Sequence, residues 1–293
     1  MKYLRLYLPL ILATLLASSY QQISFADYAA GTNAQQIVTK FNNMNGGVGY
    51  KFSVSRTGDV GEIRVQKMAG TEALDLGAYS IDAMSKTSDG LAYFQTFCVA
   101  SDIAFDDSDE HLGKMFLDSA GKVKLRSALN DPLDPSVLNL GVAYLYKQFA
   151  SGALVGYDYI NSAGRSSSAV LLQNAIWFLL NQTDAEGYNT LTSWDDNIFL
   201  RQLKQIDGNL GNWTADYMPD YNYGNLMGDF KVLVVTAKVA DSVKGHSRQS
   251  MLYLAKIGCS SVPEPATLAI WTLGSLGFIG SACRQRFAKK KNA

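Results

Sequence analysis

Between residues 48 and 99 apolar and polar positions alternate in short runs. Val48-Gly49-Tyr50-Lys51-Phe52-Ser53-Val54 and Glu62-Ile63-Arg64-Val65-Gln66 follow the period of two expected of half-buried strands, with turn chemistry at Thr57-Gly58-Asp59 between them. Ala78 to Ala83 and Ala92 to Val99 are predicted as a third and a fourth strand. The period then lengthens. Asp134-Pro135 offers an N-cap and a first-turn proline, after which Val137, Leu140, Gly141, Tyr144, Leu145 and Phe149 recur at helical spacing until Gly152. A second helix is predicted from about Ser168 to Leu180 and a third from Asp195 to Gln205, and Phe230 to Lys238 and Ser250 to Lys256 return to strand composition. Strands and helices are thus segregated. That argues for an α+β fold, with N- and C-terminal antiparallel β-strands around a central helical segment, and no period of 20 to 50 residues suggests a solenoid or propeller.

The two ends follow neither pattern. Lys2 and Arg5 precede an uncharged apolar run from Leu6 to Ala17, and Ser24-Phe25-Ala26 is a small-x-small site, so residues 1–26 read as a signal peptide. At the other end, 262–293, Pro263-Glu264-Pro265 is followed by eighteen uncharged residues from Ala266 to Cys283, then by a basic cluster from Arg284 to Lys291. Eighteen such residues just suffice for a transmembrane helix, and basic residues beyond it stay on the cytoplasmic side. The prolines break any helix entering from the domain.

That order of tripeptide, span and basic cluster resembles the PEP-CTERM sorting signal of bacteria that make extracellular polysaccharide. The resemblance implies recognition by an exosortase, transient residence in the inner membrane through the C-terminal helix, and a product at the cell surface or outside the cell. It gives an address and leaves the delivered domain, 27–261, to be read from its own residues.

Charge narrows the choice. The chain has 26 basic and 26 acidic residues, but seven basic ones lie in the two ends, leaving 19 against 25 acidic residues between Asp27 and Pro263, a net charge near −6. A nucleic-acid reader with a basic face is not expected. With 47% apolar and 18% charged residues the chain can build a core. Three cysteines, at 98, 259 and 283, are too few for a disulfide scaffold or a cysteine-rich zinc site. No phosphate loop, dinucleotide fingerprint or His-rich motif appears, so neither cofactor nor metal is expected.

Two positions invite a chemical reading. Cys98 ends the aromatic run Tyr93-Phe94-Gln95-Thr96-Phe97 and is the one cysteine well inside the domain. A thiol in an exported protein meets an oxidising compartment, although a buried cysteine also serves as a small hydrophobe. Gln173 lies in Leu171-Leu172-Gln173-Asn174-Ala175-Ile176-Trp177, on a helix that is apolar almost all round. Its carboxamide needs partners there, or it costs about 1–3 kcal/mol. Each residue alone reads as structural.

Together, Phe97-Cys98 on a strand and Gln173-Asn174-Ala175-Ile176-Trp177 on a helix resemble the thioester domains of bacterial surface adhesins, over about residues 50–257. An acidic residue often follows the cysteine closely in that family; here Val99-Ala100-Ser101 precedes Asp102. The resemblance implies a Cys98–Gln173 thioester, with Phe97, Ile176 and Trp177 excluding water from it. It implies attachment to amine-bearing partners such as lysine-bearing surface proteins, once per molecule, so a covalent binder and not an enzyme. The alternative is a structural or carbohydrate-binding matrix protein, associated with extracellular polysaccharide, in which no thioester forms.

Other sites compete. A cysteine hydrolase would pair Cys98 with His111 or His246, but His111 closes the acidic run Asp106-Asp107-Ser108-Asp109-Glu110, which reads as a solvated loop. That run lacks the spacing of a calcium loop. Ser166-Ser167-Ser168 reads as a loop and helix cap, without a nucleophile elbow. The tract from Gly208 to Gly228, with Trp213, Tyr217, Tyr221 and Tyr223, reads either as a sugar-stacking surface or as a loop packed by its own aromatics.

Overall fold

Six strands pair antiparallel into one sheet: β1 (Tyr50–Arg56), β2 (Glu62–Lys67), β3 (Tyr93–Phe97), β4 (His111–Phe116), β5 (Phe230–Val239) and β6 (Ser247–Lys256), in the order β3-β2-β1-β4-β5-β6. The computed structural model describes residues 28, 31–43, 50–56, 62–67, 93–99, 111–125, 137–160, 163–182, 191, 193–239 and 247–257. The chain divides into two compact units, 1–257 and 258–293. All of the second, the proposed signal peptide, the strand predicted over Ala78 to Ala83, the acidic run before His111, His246, Cys259 and Cys283 lie outside the described residues. No helix among the described residues is long and apolar enough to cross a membrane.

The sheet curls until its two end strands meet. Cys98, just past β3, bridges Met251 of β6 in antiparallel fashion, and Val99 N–H donates to the Ser250 carbonyl at 3.0 Å. Where the seam opens, side chains fill in. Thr96 Oγ1 donates to the Leu252 carbonyl at 2.6 Å, and the Tyr146 hydroxyl lies 3.1 Å from the carbonyls of both Gln95 and Leu252. One hydroxyl proton serves one of these at a time, but both oxygens stay out of an apolar environment.

The helices are α1 (Ala34–Asn43), α2 (Leu140–Ala150), α3 (Ala163–Leu179), α4 (Ile198–Ile206) and the single turn α5 (Leu210–Trp213). Each face of β3 joins a separate aromatic cluster. Phe94 and, from α1, Phe41 set their ring edges against Tyr253 at 5.9 and 5.7 Å, while Phe97, of opposite parity, packs on Phe149 of α2 at 4.9 Å. Phe97 and Phe149 are fully buried, each contributing about 1.5–3 kcal/mol of transfer free energy, and Phe149→Ala should cost about 3–5 kcal/mol.

Polar side chains fix the helix ends. Asn139 caps α2, its Oδ1 accepting from Val142 N–H at 3.0 Å, while its Nδ2 donates to the Leu179 carbonyl at the end of α3 at 2.6 Å. Asn181, at φ 53°, ends α3 with Asn181 N–H to the Phe178 carbonyl and Gln182 N–H to the Trp177 carbonyl, a Schellman arrangement. Asn197 caps α4 through Phe199 N–H and donates to the Leu171 carbonyl at 2.7 Å.

Three local expectations are corrected. Helix α2 starts at Leu140, not at Asp134-Pro135, because Val137 and Asn139 are held extended in bridges to Lys124 and Asp216. Ser166-Ser167-Ser168 lies inside α3, which begins five residues before Ser168; Ser167 and Ser168 return their hydroxyls to the carbonyls of Ala163 and Gly164. His111 opens β4 rather than closing a loop, because its backbone pairs with Val239 and Phe52.

Candidate functional site

Strand β2 begins at Glu62, opposite Phe97, so its ladder stops one residue short of Cys98. The antiparallel bridge to Met251 bonds the residues flanking Cys98, so the N–H and C=O of Cys98 face the other way. Gln173 of α3 meets them. Cys98 N–H donates to Gln173 Oε1 at 3.1 Å, and Gln173 Nε2 donates to the Cys98 carbonyl at 2.7 Å. A side-chain carboxamide therefore continues the sheet where the backbone of β2 leaves off. Gln173 is fully buried, and Cys98 is half-buried.

The surroundings are apolar. Phe97 and Ile176 are fully buried and Trp177 is nearly so, one helical turn beyond Gln173. Trp177 Nε1 is buried with no hydrogen-bond partner among the described residues, as is Gln95 Oε1. The helix face and Phe149, whose ring lies against Phe97, cover the Gln173 side of this corner, while Cys98 keeps part of its surface in solvent. The arrangement thus brings together Cys98, Gln173 and Phe97, with Ile176 and Trp177 on the helix face that carries Gln173.

Sequence reasoning missed a second polar cluster beside it. Glu62 is 1% exposed and takes Arg165 Nη2 at 2.6 Å, Arg165 Nε at 3.0 Å and the Tyr157 hydroxyl at 2.6 Å. Arg165 Nη1 also donates to the Tyr159 carbonyl at 2.8 Å. Burial first, then the Glu62 carboxylate, pushes the Tyr157 phenol well above its ordinary range. Because Glu62 pairs with Phe97 and Arg165 shares α3 with Gln173, this buried ion pair and the Cys98–Gln173 contact tie the same helix to the same corner of the sheet. The alternation of β2 marks Glu62 only as a polar strand position. Arg165, 103 residues away, carries no periodic signal that would point to it.

Elsewhere the tract from Gly208 to Gly228 folds on its aromatics. Trp213 and Tyr217 are buried, and Tyr217 stacks on Tyr223 at 5.4 Å, so neither offers a ring to a ligand. No group of three or more metal-ligating side chains occurs among the described residues. No family model matches the chain, and neither a curated protein nor a solved structure matches it.

Proposed function

We propose that the domain stores an internal thioester between Cys98 and Gln173 and uses it to attach itself covalently to an amine-bearing surface, after export and exosortase sorting through Pro263-Glu264-Pro265. The observation that supports this is the two-point hydrogen bonding of a fully buried carboxamide to the backbone of the one cysteine among the described residues. The Cys98 sulfur attacks Gln173 Cδ, and negative charge develops on Oε1. Cys98 N–H, already 3.1 Å from that oxygen, is the donor that would stabilise it. The thiol proton passes to the departing nitrogen, the Nε2 hydrogen bond to the Cys98 carbonyl breaks, and ammonia leaves. An amine then attacks the acyl carbon, forming an amide at Gln173 and restoring the Cys98 thiol. Buried Phe97, Ile176 and Trp177 limit competing hydrolysis. Closing a loop of this length would add roughly 4–5 kcal/mol on the chain-entropy account.

A second reading, a non-covalent matrix protein, has its own observation. Asn42 of α1 makes the same two-point contact with the backbone of Met115, at 3.2 and 3.4 Å, where nothing but structure is at stake. On that reading Gln173 is a structural strand extender like Asn42. Intact mass separates the two. The thioester form of the full chain is lighter than its processed sequence by one ammonia, about 17 Da, gains methylamine, and loses both properties in Cys98→Ala. A full-mass chain that has never carried the deficit, even immediately after synthesis, refutes the thioester.

A further inference from the structure

Away from Cys98, the start of α1, the loop before β5 and the residue after β6 enclose a cleft of about 380 Å³. That is near the lower end of small-molecule sites, ~300–1,000 Å³, and suits a ligand of one or two rings. Its lining is neither greasy nor cationic. Tyr221 is 62% exposed and stands on edge against Tyr223 at 4.9 Å, so one phenol ring is held rigidly by another while it remains open to solvent. Tyr223 is itself fixed by stacking on buried Tyr217 and by accepting from Met218 N–H at 3.0 Å.

The polar groups divide into occupied and available ones. Lys231 is neutralised by Asp220 and donates to the Pro219 carbonyl, and Asp220 also accepts from Ala34 N–H, so this pair builds the wall. Asn33 and Asn222 have their oxygens engaged by Gln36 N–H and Gly224 N–H, both at 2.8 Å, which leaves two NH2 donors. The Asp229 carboxylate makes no hydrogen bond or ion pair among the described residues and is exposed.

From this lining we infer that the cleft binds a neutral carbohydrate: one sugar ring lies on the face of Tyr221 while adjacent hydroxyls donate to Asp229 and accept from Asn33 and Asn222. A free carboxylate repels phosphate and sulfate groups. The paired Lys231 leaves no cation to draw them. Polar and apolar surface are mixed along the wall, so a lipid tail finds no continuous apolar face there. Carboxylates and amides beside an exposed ring match the alternating hydroxyl and C–H faces of a pyranose. The site is independent of either reading of the Cys98–Gln173 contact, and it would let the domain recognise a polysaccharide before, or without, any covalent step.

The test uses the full chain in a detergent without a sugar headgroup, titrated calorimetrically with a panel of neutral gluco-, galacto- and manno-oligosaccharides, and with their sulfated counterparts. Saturable binding of at least one neutral member is expected. Tyr221→Ala should weaken it roughly tenfold or more, Tyr221→Phe should retain it, and Asp229→Asn should weaken it without lowering the melting temperature. Cys98→Ala should leave it unchanged, which separates this site from the thioester. Binding of no neutral member at millimolar concentration, preference for the sulfated sugars, or affinity indifferent to Tyr221→Ala overturns the assignment.

Discussion

Replacing Arg165 by Met strands Glu62 in an environment where it is 1% exposed. With the guanidinium go two hydrogen bonds to the carboxylate and one to the Tyr159 carbonyl, and the neutral Tyr157 hydroxyl is a poor substitute for a cation beside the charge. Breaking a buried pair from one side costs about 3–5 kcal/mol, mainly as the desolvation of the abandoned charge. The exposed pair Lys204–Asp195, with side chains 50% and 61% accessible, gives the contrast: its loss should cost at most about 1 kcal/mol. Urea unfolding of the full chain, with the slope checked for constancy, measures both. Removing the whole cluster in Glu62→Leu, Arg165→Met, Tyr157→Phe should recover most of the loss, because no buried charge then remains. If Arg165→Met costs no more than Lys204→Ala, or if the triple variant is worse than the single one, the buried-charge reasoning is refuted. Since α3 carries both Arg165 and Gln173, the single variant should also lower the yield of the proposed thioester, read as the ammonia deficit.

Tyr146→Phe should cost about 0.5–1.5 kcal/mol and speed amide exchange in β3 and β6, as the seam carbonyls of Gln95 and Leu252 lose their shared donor; unchanged exchange there would contradict its role. Gly141→Ala should cost about 1–3 kcal/mol in thermal unfolding, because the added methyl lies 3.1 Å from both Leu179 Cδ1 and the Trp213 carbonyl. Burial raises the phenols of Tyr146, Tyr157 and Tyr217 above their ordinary value of 10.0, so they stay protonated in the folded chain. Their contribution is complete below that value and is lost as pH rises above it, since the unfolded chain then binds fewer protons. Stability should therefore fall steeply above pH 10, with tyrosinate absorbance from these residues appearing only as the fold melts; early absorbance from all three would count against their burial.

What the sequence made legible was local and periodic. Strands β1 and β2 lie where alternation places them, β3, β5 and β6 where strand composition does, and Gly152 ends α2 with its φ of 74°. The start of α2 is hidden because Asp134-Pro135 is a stronger local signal than Asn139, whereas the bridges that hold Val137 and Asn139 extended come from Lys124 and Asp216, outside the helix. Helix α1 was passed over although Asn33 and Gln36 form its capping box and Ile37, Val38 and Phe41 its buried stripe. Cys98 and Gln173 were picked out as residues whose chemistry asked for a partner, and the contact between them is a fact of three-dimensional folding. The Glu62–Arg165–Tyr157 cluster leaves no trace in spacing, because an ion pair across 103 residues and a hydrogen bond across 95 obey no period.

A sheet rolled shut at Cys98 and Met251 also governs how copies of the protein behave together. Open sheets present rows of unpaired amides that recruit a neighbour's strand and seed fibrils. Here the terminal strands answer one another, with Thr96, Tyr146 and Gln173 covering the remaining gaps. The closed seam thereby keeps the protein from polymerising with its own kind. Prising the seam apart, as in Thr96→Val combined with Tyr146→Phe, should make the protein aggregate faster with time than the unaltered chain.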